Sequence, residues 1–86
     1  MDIHELKNAL QQLDVPPEFY SILEGQKPDA IVLEHYHGIW ETYYFSERGE
    51  IFEERYHTSE DDACQYVLNR FEKMKKNSDK SKNDKA

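Results

Sequence analysis

The chain has 86 residues, with eleven Lys and Arg against 18 Asp and Glu, for a formal net charge of −7. That length suits one domain near the lower limit for a single hydrophobic core. With 37% hydrophobic and 13% aromatic residues, Tyr, Phe and Trp must supply much of the core. Nucleic acid and anionic membrane surfaces are disfavoured as partners, because both are held by Lys and Arg.

The charge is uneven. Residues 75–86, KKNSDKSKNDKA, carry five Lys and two Asp, so +3, which leaves residues 1–74 with six basic and 16 acidic side chains, or −10. A body that acidic attracts a basic protein and speeds the encounter. Cys64 is the single cysteine, so no internal disulfide can form. The opening MDIHELKN lacks a positive region followed by an apolar run, so no signal peptide is expected. No segment approaches the roughly 18 apolar residues of a membrane span. The expected compartment is the cytoplasm.

In chain order, Asp2 and Glu5 form a capping-box-like start, and Ile3, Leu6, Leu10 and Leu13 recur at helical spacing, predicting an amphipathic helix over 3–13. Pro16-Pro17 ends it. Glu18 to Leu23 is expected to form a short helical turn with Phe19, Ile22 or Leu23 inward, and residues 24–29 read as loop. From Ala30 the period changes to two. Ala30–Tyr36, Ile39–Phe45 and Ile51–Tyr56 read as strands rich in β-branched and aromatic residues. His37-Gly38 fits a two-residue hairpin loop, and Ser46-Glu47-Arg48-Gly49 the second turn. Thr58 or Ser59 caps a last helix whose buried stripe is Ala63, Val67, Phe71 and Met74, with Cys64 and Leu68 alongside. The expected fold is α+β, a three-stranded antiparallel meander with both helices on one face (α-β-β-β-α). One domain over 1–76 is followed by a disordered Lys-rich tail over 77–86.

The turns fix a register. With His37-Gly38 as the loop, Tyr36 faces Ile39, His35 faces Trp40, Glu34 faces Glu41, Leu33 faces Thr42 and Ile31 faces Tyr44. A longer second connection or bulge pairs Tyr44 with Phe52 and Trp40 with Tyr56. The helix side then carries Ile31, Leu33, His35, Trp40, Thr42, Tyr44, Phe52 and Tyr56. The other side carries Glu34, Tyr36, Glu41, Tyr43, Phe45, Glu53 and Arg55, with Val32, Ile39 and Ile51. Glu34 opposes Glu41 there, a like-charge pair that costs a few tenths of a kcal/mol. Large rings surround the pair, and Arg55 can relieve Glu41. Such an acidic, Tyr-rich patch suits the cationic side chains of a partner, since a Tyr ring face accepts Lys or Arg. A plain solvated sheet face is the alternative.

Other chemistry is poorly supported. His35, His37 and His57 lack the cysteine or carboxylate spacing that would complete a zinc set, so no metal and no cofactor are expected. Glu53-Glu54, as neighbours on a strand, point to opposite faces, and Glu60-Asp61-Asp62 serve as helix-start charges. No glycine-rich phosphate loop exists, and Cys64 lies on an apolar helix face. The chain does not read as an enzyme.

The stretch WETYYFSERGEIFEERYHTSEDDACQYVLNRF resembles the pattern of small immunity proteins encoded beside polymorphic or contact-dependent toxins in bacteria. The shared elements are a Trp-x-x-Tyr-Tyr strand, a Ser-Glu-Arg-Gly turn, and an aromatic strand leading into Ser-Glu-x-x-Ala-Cys-x-Tyr and an apolar helix. The likeness covers roughly Glu34 to Phe71, and Phe45 before Ser46 is one residue more than the tighter form of the pattern. It implies a protein that binds and neutralises a cognate toxin domain, often a nuclease, whose basic cleft an acidic body is suited to cover. It carries over no toxin-contacting positions, and Trp40, Tyr44, Gly49 and Cys64 are better read as fold determinants. The alternatives are an acidic adaptor for another basic protein, or a homodimer built on the exposed aromatics.

Overall fold

Asp2 and Glu5 start helix α1, Ile3–Gln12, as a reciprocal pair. The Asp2 carboxylate accepts from the Glu5 amide at 2.8 Å, and the Glu5 carboxylate accepts from the Asp2 amide at 3.0 Å. Two amides that the helix cannot bond are thereby satisfied. The computed structural model describes residues 1–85, with side chains described through residue 75.

After α1 the chain departs from the expected order. Pro17–Phe19 form a single 3-10 turn, and Tyr20–Ile22 form a short strand, β1. It is followed by β2 (Ala30–Tyr36), β3 (Ile39–Phe45) and β4 (Ile51–His57), then helix α2 (Glu60–Lys85). The tail expected over 77–86 lies outside the described side chains. The sheet therefore has four strands in the order β1-β2-β3-β4, and β1 runs parallel to β2. This corrects the three-stranded antiparallel meander to a mixed sheet while leaving the α+β class intact. A parallel neighbour normally needs a long crossover. Here β1 is only three residues long, so residues 23–29 suffice to carry the chain back to the start of β2. Ser21 Oγ donates to the Gly25 carbonyl at 2.6 Å, and Lys27 Nζ donates to the Pro17 and Tyr20 carbonyls, which holds that return loop against the sheet.

The β2–β3 hairpin has the anticipated register, from Tyr36 opposite Ile39 to Ile31 opposite Tyr44. His37 and Gly38 both take positive φ, 47° and 79°, the backbone of a two-residue turn whose twist matches its strands. The β3–β4 pairing agrees with expectation only at its turn end, where Tyr44 faces Phe52. Beyond it a bulge intervenes. Glu53 sits at φ 54°, and the partners become Thr42 with Arg55, Glu41 with Tyr56 and Trp40 with His57. The one-residue shift exchanges the faces of everything after it.

Both helices cover one side of the sheet. Leu6 and Leu10 of α1 join Ala63, Cys64, Val67 and Phe71 of α2 over Tyr20, Ile22, Ile31 and Leu33 in one buried cluster, with Trp40 and Tyr44 packed at its margin. Four residues expected in this core lie outside it. Phe52, Tyr56 and Met74 are 47%, 65% and 46% exposed, and His35 is exposed as well. The bulge turns Tyr56 to the opposite face, and Met74 lies at the rim of the core, lining an open surface cavity with Ile31, Tyr44 and Phe71. Phe19 and Leu23, offered as inward-pointing alternatives to Ile22, are also half exposed, and Ile22 alone is buried. Polar contacts tie the helix starts together. The Ile3 amide donates to the Glu60 carboxylate at 2.9 Å, the Met1 ammonium pairs with Asp61 at 2.5 Å, and Ser59 Oγ caps α2 through the Asp62 amide at 3.1 Å.

Candidate docking face

The face of the sheet turned away from the helices is built by β2, β3 and β4. The register places Glu34, Tyr36, Glu41, Tyr43 and Phe45 on it, as their alternation requires. Glu53 and Arg55 are not on it. Arg55 shares the helix-side face with Thr42, so it cannot relieve Glu41. Glu53, at the bulge, makes an ion pair with Arg70 of α2. Glu54 and Tyr56 take their places beside Glu41 and Tyr43. Glu34, Glu41 and Glu54 thus form a row across three strands, and no Lys or Arg of those strands shares their face.

The two ends of this face differ. At the end where Ala30 faces Phe45 it is closed, with Val32 0% and Tyr43 2% exposed and Gln26 of the return loop bonded to the Tyr43 hydroxyl. Tyr43 is therefore an interior residue and not an open contact, contrary to the expectation from alternation alone. A sheet face opposite the helices looks solvated in sequence, and nothing in residues 23–29 announces that they fold over it. The Tyr43 hydroxyl donates to one oxygen of Glu34 and the Tyr36 hydroxyl to the other. Phe45 lies edge-on to the Tyr43 ring, with centroids 6.4 Å apart. Toward the His37-Gly38 hairpin and along β4 the face is open, with Tyr36, Glu54 and Tyr56 exposed and Glu34 and Glu41 half-buried.

The electrostatics of the row follow from this crowding. Burial, then the neighbouring Glu54 carboxylate, pushes the Glu41 carboxyl up to about 7. The bond to Glu34 pushes the Tyr36 hydroxyl up to about 12, and burial together with Glu34 raises Tyr43 further. Glu41 and Tyr43 hold their protons first because burial disfavours the charged form, Tyr36 because it donates to Glu34, and the neighbouring carboxylates add to all three. A cation placed between Glu34, Glu41 and Glu54 would reverse that bias.

The histidines occupy separate settings. His35 stacks on Trp40 with rings 3.9 Å apart and 7° from parallel, and His37 sits in the hairpin turn. His57 reaches Thr42 Oγ1 through Nε2 at 2.9 Å and lies against Tyr66, and burial lowers its pKa. Among the described residues no three His, Cys, Asp or Glu side chains converge as a metal-ligand set. Cys64 is buried, and that burial raises its thiol to about 11. No helix among the described residues is long and apolar enough to cross a membrane.

Glu54 and Tyr56 are the site residues that sequence reasoning missed. The signal available was the surplus residue between the Ser46–Gly49 turn and the capped helix. The strand, and not the turn, absorbs it, at Glu53. The chain matches no protein-family model, no curated protein and no solved structure.

Proposed function

We propose that this chain is an immunity protein that binds and neutralises a basic, nuclease-type toxin domain, acting by occlusion and without a reaction of its own. The observation that carries the reading is the row Glu34, Glu41 and Glu54, flanked by Tyr36 and Tyr56 and unaccompanied by any Lys or Arg of its strands. A nuclease cleft holds phosphate with Lys and Arg, and a row of carboxylates offers the same partners a substitute anion. The −10 carried by residues 1–74 steers such a partner into place. Tyr36 and Tyr56 add apolar area and ring faces for the cationic side chains.

The test is binding of the purified protein to the toxin domain encoded beside its gene, followed by stopped-flow association kinetics across a salt series. The expected result is a tight complex whose association slows roughly tenfold or more between low and physiological ionic strength. A partner that is itself acidic, or binding indifferent to salt, refutes the proposal. A homodimer is the second reading, favoured by the half-exposed Phe19, Phe52 and Met74 on the helix-bearing side. Sedimentation equilibrium that returns only monomer removes it.

A further inference from the structure

The acidic row ends at a strand edge, and the edge makes a demand of its own. β4 is the outermost strand of the sheet, and all of its residues except His57 are exposed. One side of its backbone is hydrogen-bonded to β3, and the other has no strand beside it among the described residues. The opposite edge differs, because β1 is three residues long and wholly buried. An open edge invites another strand, and proteins blunt such edges with charge and bulges. β4 has both, in Glu53-Glu54-Arg55 and the turn of backbone at Glu53. Those devices discourage most strands. They do not discourage every one.

After the bulge, Glu54 to His57 runs regularly, with Glu54 and Tyr56 on the acidic face and Arg55 and His57 on the helix side. We infer that this segment receives an extended strand whose alternate residues are Lys or Arg, added edge-on to β4 so that its cationic side chains lie beside Glu54 and Glu41. This rests on the proposed function and specifies how the basic partner is engaged. The opposite charges on the two faces set the phase. Cations are welcome next to Glu54 and Tyr56, whereas those pointing the other way would meet Arg55. A second copy of the chain is a poor occupant, since it would bring its own Glu54 and a further net charge of −7. Backbone bonding then supplies affinity, and alternate side chains supply selection.

The experiment uses the full chain, isotopically labelled, and an acetylated peptide alternating Lys with Thr or Val over about the length of β4. Amide exchange of β4 should slow about tenfold at the outward-pointing amides on adding the peptide. The same peptide N-methylated at alternate backbone nitrogens, which keeps every charge but cannot bond an edge, should give no protection. A Glu54→Lys variant, shown folded by circular dichroism, should lose the effect. Equal effects from the methylated and unmethylated peptides, or no protection by either, overturn the inference. The neighbouring toxin domain provides a separate arm. If it binds while β4 amides exchange as in the free protein, strand addition is wrong and neutralisation stands. If it fails to bind while the peptide still protects β4, strand addition stands and the toxin reading is wrong.

Discussion

Tyr43 and Glu41 are successive residues on one face of β3 and answer to different physics. Tyr43 is interior, so Tyr43→Ala should cost about 3–5 kcal/mol by leaving a cavity under the return loop. Thermal unfolding should show that loss, and any weakening of partner binding in this variant is then a consequence of unfolding. Tyr43→Phe keeps the ring and removes only the donor to Glu34, and should cost about 1 kcal/mol. Glu41 has a pH signature. Its folded carboxyl holds a proton up to about 7, above its unfolded value of 4.5. Between those values the folded state binds more protons than the unfolded one, so stability falls as pH rises from about 4.5 through 7. Glu41→Gln should remove that slope, by an amount on the order of 1 kcal/mol once solvent screening is allowed for. His57 acts in the opposite sense. Its depressed pKa makes stability fall as pH drops below 6.5, so the difference between wild type and Glu41→Gln across pH isolates the carboxyl. A flat difference curve would contradict the crowding described here.

The elements show what a sequence can and cannot announce. The β2–β3 pairing was legible to the residue, because a two-residue turn leaves no freedom of register once the turn is identified. The capping box and the buried positions Leu6, Leu10, Val67 and Phe71 were legible from spacing. β1 was not, since three residues cannot display a period of two, and its pairing depends on a loop folding back. Nor was the bulge. A glutamate gives no hint of left-handed backbone, and what fixes it there is tertiary: Glu53 meets Arg70, and His57 meets Thr42 and Tyr66. Five of the seven expected docking residues therefore share the acidic face, and the two beyond the bulge do not. The turn itself is open to improvement. His37 is exposed at φ 47°, and His37→Asn would give the Asn-Gly pair that this turn geometry favours most. A gain of about 0.5–1 kcal/mol, raising Tm by a few degrees, is expected from differential scanning calorimetry.

At the scale of the whole molecule, charge shapes both stability and partnership. Sixteen acidic against six basic side chains in residues 1–74 repel one another at low salt. Tm should therefore rise as ionic strength goes from about 0.01 M to 0.15 M, where the screening length shrinks from about 30 Å to 8 Å. The same repulsion keeps copies apart and leaves the acidic face free for a cationic surface. The core beneath β2 and the buried Tyr43 of β3 anchor those two strands, so Glu34 and Glu41 are positioned before any partner arrives. The most direct test is to reverse the row, with Glu34→Lys, Glu41→Lys and Glu54→Lys combined in one chain. Its fold is checked by circular dichroism, and its affinity for the neighbouring toxin domain is measured by calorimetry. Weakening by about a hundredfold or more is the predicted result. An affinity equal to that of the unaltered protein would place the contact surface elsewhere and contradict the account.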